Sequence, residues 1–295
     1  MTTMPSSPWC IVAVPWRMGL IALLWAGALR AEDSPVSTNA AAESVPAPPP
    51  TLWFPVGEEL VYNAYWGVIP VGQTRITTKW VEQDGRTLLL IRYRTKSNRV
   101  IATLYPVDDI IETLIEPTKF LPMRFEKNLK EGRSRHHEIT TFDHATLKGQ
   151  WRSVLKGKTK EFDIEPDTRD LVSFMYYMRS QTFRDNEQSH YRVMADEKIY
   201  DLYLQAKGVE SVKLDGYGRV PSLRLEPQAQ FQGLFVRKGK MTVWVSRDPR
   251  MLCTQVKAVV PVANVRILLV DVNGPGDDQW TKRSPKDEDV GVEKE

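Results

Sequence analysis

The residues with the chemistry to act are few, and their spacing keeps them apart. His136-His137-Glu138 is the densest set of possible metal ligands. On a β-strand successive side chains point to opposite faces, so the two imidazoles cannot grip one ion together. A metal site gathers three or more well-placed ligands, and the chain has only four His. With Arg133 and Arg135 alongside, the segment reads as a solvated basic strand, and neither a metal nor a cofactor is expected. Asp108-Asp109 with Glu112, and Glu58-Glu59, are the paired acids. A glycosidase needs two carboxylates about 5–10 Å apart across one cleft. Neighbours on a strand alternate faces, which argues against a shared site in either pair. The sequence holds no Gly-x-Ser-x-Gly elbow, His-Glu-x-x-His helix or phosphate loop, so no catalytic residue is assigned.

The elements that must position these groups are strands. Thr87 to Arg94 alternates in polarity after the turn signal Asp84-Gly85. Met123, Phe125 and Leu129 alternate with Arg124, Glu126 and Lys130. Leu147, Trp151 and Leu155 alternate with Lys148, Gln150, Arg152 and Lys156. Met241 to Val245 follows Lys238-Gly239-Lys240, and Val265 to Val272 closes the series. Such half-apolar strands suit antiparallel sheets wetted on one face. Gly67-Val68-Ile69-Pro70-Val71-Gly72 reads as the bend between the first two strands. One segment breaks the period of two. After Pro166, the capping residues Asp167 to Asp170 lead into Leu171, Phe174 and Met178 on one helical face. Val172, Met175 and Tyr176 widen that apolar arc. The fold class is therefore mainly β, a curved antiparallel sheet or incomplete barrel with one central helix at about 168–182. Phe174, Met178 and Trp244 are the expected ligand-facing interior, and Trp53, Trp66, Trp80, Trp151 and Trp244 are expected to fill the core.

Residues 1–31 have the layout of an export signal: Arg17, an apolar run from Met18 to Leu29, and small-x-small at Ala26-Gly27-Ala28. A membrane span needs about 20 apolar residues, so the run is short for one; an uncleaved anchor is the alternative. Cleavage would leave Cys253 as the single cysteine, beside Met251 and Leu252, a buried small hydrophobe. Residues 32–50 form a Pro/Ala-rich tether, 51–273 a single β-rich domain, and 274–295 a disordered charged tail. The protein is expected in the periplasm or cell envelope.

Charge is uneven. The first fifty residues carry −1 and the last twenty-two −3, which leaves +7 for residues 51–273 of a chain that totals +3. Residues 119–160 alone carry eleven basic and four acidic groups, also +7. Arg124, Lys130, Lys148, Arg152 and Lys156 are the expected anionic-partner face. An exported protein meets no nucleic acid routinely, so a lipid or an anionic envelope polymer is the expected partner.

Phe54-Pro55-Val56-Gly57-Glu58-Glu59-Leu60-Val61-Tyr62, followed by Trp66 to Gly72, resembles the opening of the bacterial envelope family called domain of unknown function 3108. Asp170-Leu171-Val172-Ser173 leading to Tyr177-Met178-Arg179 resembles its mid-domain helix. Val243-Trp244-Val245-Ser246-Arg247-Asp248, then Met251, resembles its late strand pair. The resemblance spans about residues 52 to 272 and brings no activity with it. More distantly, the plan is similar to periplasmic lipoprotein-carrier-like half-barrels. The expected function is an exported, non-enzymatic envelope protein that binds an apolar or lipid-like ligand. One alternative is a scaffold or assembly partner in envelope biogenesis, which contacts another envelope protein. The other is a hydrolase of envelope glycans or lipids working through Asp108, Asp109 or Glu112.

Overall fold

A largely alternating pattern of more and less buried side chains turns residues 59–163 into a meander of eight strands. These are β1 Glu59–Trp66, β2 Ile69–Gln83, β3 Arg86–Ser97, β4 Asp108–Glu116, β5 Leu121–Glu131, β6 Ser134–Asp143, β7 Lys148–Ser153 and β8 Lys158–Asp163. A second meander follows: β9 Arg169–Asp170, β10 Gln188–Ala195, β11 Lys198–Leu214, β12 Gly218–Ala229, β13 Lys240–Ser246, β14 Cys253–Val260 and β15 Ala263–Asn273. The computed structural model describes residues 49–195, 198–229, 240–260, 263–276 and 280–282. The expected export signal, nearly all of the expected tether, and residues 283–295 lie outside them. No helix among the described residues is long and apolar enough to cross a membrane.

The fifteen strands form one sheet in the order β8 to β1, then β15 down to β9. All pairs are antiparallel except the short β9–β10 pair. The sheet is not closed into a barrel, but it curls far enough to bring β9 near β5. Asp84 and Gly85 both have positive φ, 51° and 69°, which matches the right-handed twist of the β2–β3 hairpin they connect. Antiparallel succession places the β1–β2, β3–β4, β5–β6, β7–β8 and β14–β15 connections at one end, here the upper end. The β2–β3, β4–β5, β6–β7, β11–β12 and β13–β14 connections lie at the lower end.

Between β3 and β4 stands a six-residue helix, α1 Arg99–Leu104, capped by Asn98. The main helix is α2 Leu171–Tyr177, continued by a 3-10 turn Met178–Ser180. Its position agrees with the expected one, because Asp170 caps it: the Asp170 carboxylate accepts from Val172 N at 2.8 Å and Ser173 N at 2.9 Å. The same carboxylate accepts from Thr113 Oγ1 on β4 at 2.6 Å, which fastens the helix to the inner face of the sheet. Burial pushes the Asp170 carboxyl up, and the hydrogen bonds from Thr113, Ser173 and Val172 oppose that.

The ordered part continues past Asn273, where a disordered tail was expected. Trp280 is buried, stacks edge-on against Tyr217 at 5.3 Å and donates to Asp248 Oδ1 at 3.2 Å. Lys282 reaches Asp271 at 3.1 Å. Polar composition hid this: one large aromatic is enough to dock a segment that otherwise reads as solvated.

Candidate functional site

The inner face beneath α2 is filled. Phe174 packs with Phe183, Val193, Leu202, Leu204, Leu223 and Leu225, and Leu171, Met178 and Tyr191 close around them. Trp53 Nε1 donates to Tyr176 O at 2.9 Å, and Tyr93 OH donates to Met175 Sδ at 3.8 Å. At the lower end the rings of Trp53, Phe54, Phe120 and Tyr176 meet with centroids 4.5 to 6.1 Å apart. Phe174 and Met178 thus lie on the inner face, in a packed core. Trp244 does not. Val243 and Val245 turn toward Phe174, so Trp244 between them turns to the other face. There its Nε1 donates to Glu210 Oε2 at 2.8 Å, and Lys257 Nζ lies 5.1 Å from the ring. Strand parity decides this over hydrophobicity, and an indole buries readily under charged side chains when its N–H finds a partner.

The lower end is locked by an ion cluster that the sequence did not suggest. Glu58 is fully buried. Both Arg179 terminal nitrogens donate to its carboxylate, and Arg250 Nη2 donates to Glu58 Oε2 at 2.7 Å. Arg179 Nε donates to Arg250 O at 2.9 Å, and the Arg179 guanidinium lies over Phe54 and Tyr176 at 5.0 and 4.9 Å. Burial pushes the Glu58 carboxyl up, but Arg179 and then Arg250 more than offset that and hold it below its usual range. Glu59 lies on the outer face against Arg75, so the Glu58-Glu59 pair is split as alternation required.

The other acids are also split. Asp108 faces outward, bonded to Arg94 at 3.2 and 3.3 Å; Glu112 does the same with Arg92 at 2.5 Å. Asp109 faces inward and is buried, where its Oδ1 accepts from Lys130 N at 2.7 Å. Asp108, Asp109 and Glu112 therefore share no cleft. The neighbour of Asp109 is Glu131, also buried, on β5. Burial, with the Asp108 charge adding, raises Asp109 to about 6; burial and the Asp109 charge raise Glu131 to about 7.

His136 and His137 take opposite faces. His137 Nε2 sits 2.6 Å from Glu126 Oε1, and His136 Nε2 sits 2.9 Å from Ser134 Oγ. Among the described residues no group of three His, Cys, Asp or Glu is placed to hold a metal. Cys253 is half-buried, and its thiol is pushed up to about 12 by burial, with a backbone hydrogen bond at Gln255 opposing. Such a thiol is unreactive near neutral pH.

Arg124, Lys130, Lys148 and Arg152 do share the outer face of β5 and β7, and Lys156 lies in the β7–β8 turn. Arg124 pairs with Glu126 and Lys148 with Asp163, each at 2.5 Å. Counting opposite partners from β5 to β8, that face adds Arg135 and carries Glu126, Asp143, Glu161 and Asp163 against its five basic groups. The +7 of residues 119–160 is thus spread over two faces and the turns. Lys127, for instance, points inward to Glu138 at 2.8 Å.

One cleft opens beside α2. Arg169, Phe174, Tyr177, His190, Tyr191 and Arg192 are among its lining, around about 220 Å³. The Arg169 guanidinium lies 3.7 Å over the Tyr177 ring, and burial pulls it below its usual range.

Residues 61–270 match the family model described as protein of unknown function DUF3108. The chain belongs to that family. Within the family's span fall all of β2 to β14, α2 and the cleft beside it. Among solved structures the chain is similar to a β-barrel-like protein of domain of unknown function DUF1849 from Brucella abortus, with a TM-score of 0.51 at 8% identity. The match covers 74% of this chain and 97% of that one, and it shows the fold alone. No curated protein matches the chain.

Proposed function

We propose that this DUF3108 protein is a non-enzymatic scaffold or assembly partner in the cell envelope, reached through the export signal read in residues 1–31. The observation that carries the proposal is the filled interior. A carrier needs an enclosed volume, and ligand sites usually span about 300–1,000 Å³. Here α2 occupies the inner face, with Val172, Phe174 and Tyr176 buried and the Glu58–Arg179 pair holding the helix end. What such a molecule offers a partner is its outside. Its sheet edges are poorly suited to strand addition: β9 has two residues, and β8 carries Lys158, Lys160, Glu161 and Asp163. The outer face of β5 to β8, with Arg124 and Arg152, is the better contact. Crosslinking in whole cells should return one abundant envelope protein. Charge reversal at Arg124, Arg152 and Lys156 together should reduce its yield severalfold, and an unchanged yield would sink the contact face.

A second reading has its own observation. The cleft beside α2 sets Phe174 and Tyr191 next to Arg169 and Arg192. That mix suits the junction between an anionic headgroup and an apolar chain. At about 220 Å³ it would hold the junction and leave the chain outside. Lipid that co-purifies with the native protein and is lost in Arg169→Ala would support this reading. Native protein free of ligand by mass spectrometry would count against it.

A further inference from the structure

Nine large hydrophobic side chains are exposed among the described residues, and all but Val209 lie at the upper end of the sheet. Trp66, Val68 and Ile69 form the β1–β2 connection, with Val68 88% exposed. Val100 and Leu104 stand on α1, 73% and 84% exposed. Leu155, expected on the apolar face of a strand, lies with Val154 in the β7–β8 turn and is 59% exposed. Helix α1 has no buried residue at all, although its sequence Arg-Val-Ile-Ala-Thr-Leu is mostly apolar. These tips are tied to one another. Asn98 N donates to Val71 O at 3.0 Å, its side chain reaches Pro70 O, and Gly132 N donates to Pro106 O at 2.8 Å.

The charge of the same tips has one sign. The connections 67–68, 98–107, 132–133 and 154–157 contain Arg99, Arg133 and Lys156, all exposed, and no Asp or Glu. The described connections at the lower end differ on both counts. Phe120 is buried there, no large hydrophobic is exposed, and acids such as Asp84, Asp215 and Asp248 appear.

We propose that the upper end of the β1–β8 meander docks on an anionic lipid membrane, with Val68, Leu104 and Leu155 entering the headgroup layer and Arg99, Arg133 and Lys156 meeting lipid phosphates. The chemistry favours lipid over a protein face. A protein partner needs a surface that can be packed against side by side. These residues instead project singly from separate connections; Arg99 shares a connection with Leu104 and Lys156 with Leu155, and the Trp66 indole sits beside Val68. That is how interfacial segments meet a bilayer: apolar tips, a cationic collar and an aromatic at headgroup level. The connections themselves contain no Asp or Glu, and the nearest exposed acid, Asp108, is paired with Arg94, so an anionic leaflet attracts all three cations.

The inference does not depend on the scaffold reading, which stands or falls on crosslinking in cells. It is tested with the full chain and vesicles. In a Cys10→Ser background, Leu104→Cys carries an environment-sensitive fluorophore; Cys253, with its raised thiol pKa, labels slowly. Asp84→Cys provides the same probe at the lower end. Vesicles of phosphatidylglycerol and phosphatidylethanolamine in equal parts should shift the Leu104→Cys probe to the blue with a severalfold gain in emission. The Asp84→Cys probe should stay unchanged, which separates docking by this end from any attachment through the N-terminal apolar run. Arg99→Ser, Arg133→Ser and Lys156→Ser together should weaken the response about a hundredfold in lipid concentration, since each basic residue near an anionic surface contributes roughly a factor of five. A Leu104→Cys probe that ignores these vesicles overturns the proposal and leaves a protein partner as the occupant. An equal response to pure phosphatidylcholine overturns its anionic half.

Discussion

The two ends of the sheet bury acid in opposite ways. At the lower end Glu58 loses all contact with water, and two guanidiniums compensate it. At the upper end Asp109 and Glu131 are also buried, and no cation contributes to either. The same contrast holds for apolar groups. The lower end hides Phe54, Phe120 and Trp280, whereas the upper end leaves Val68 and Leu104 in the open. One end is finished as a protein interior. The other is finished as an interface. Stability is therefore concentrated where the chain begins and ends its sheet, and surface chemistry where its hairpins turn.

The contrast breaks most visibly at Glu58. Glu58→Gln leaves Arg179 and Arg250 buried without a counter-charge, so urea unfolding at pH 7 should show a loss of about 3–5 kcal/mol. A loss under about 1 kcal/mol would mean that the lower end is not held by this cluster. Gly274→Ala probes the same end through the backbone. Gly274 has φ of 92°, and an added Cβ would lie 2.4 Å from the Gly57 carbonyl oxygen. Between strain and overpacking, the expected loss is about 1–3 kcal/mol.

Asp109→Asn tests the upper end and should act in the other direction. Both acids there have folded values above the ordinary ones, about 6 for Asp109 and about 7 for Glu131. The folded state therefore keeps protons that the unfolded chain has released. Stability is full below the ordinary carboxyl values of 3.8 and 4.5 and falls as pH rises from there through about 6 and 7. An amide cannot ionise, yet it still offers an oxygen to Lys130 N. The variant should melt above the parent protein at pH 8, by on the order of 2 kcal/mol, and converge on it only as pH falls to about 3. Melting curves that track each other at both pH values would remove the uncompensated pair. The smallest effect is expected at Leu104→Ser. Helix α1 buries nothing, so stability should stay within about 0.5 kcal/mol of the parent.

What the sequence disclosed was local. Asp84-Gly85 marked a hairpin, Asp170 marked a helix start, and alternation marked the strands, because each depends on residues a few positions apart. What stayed hidden was set by distance or by parity. Glu58 meets Arg179 across 121 positions and Arg250 across 192, and nothing near any of them signals the others. Trp244 is flanked by residues as apolar as itself, so pattern alone could not assign its face. A register shift beside it, between Trp244 and Val245, moves the pairing with β14 by a residue. Asp109 was visible as a candidate acid, but its partner is Glu131 on the next strand, and its sequence neighbour Asp108 belongs to the outer face. The basic block was legible in composition and not in space. Eleven cations within forty-two residues look like one surface until the register distributes them.

The strand order also implies a sequence of events in time. Every antiparallel pair but one joins strands that follow each other along the chain, so each can zip as soon as its hairpin exists. The exception is the seam between β1 and β15, where Glu59 meets Asn273. Loop closure makes that the slowest contact to find. A chain emerging N-terminus first would complete the β1–β8 meander while β1 still waits with one side unpaired. Until β15 arrives, that side is open to any other extended chain. Glu58, placed just ahead of the seam, obtains its Arg250 partner only from the second meander. The carboxylate that stabilises the finished protein thus also reports that the second meander has come home.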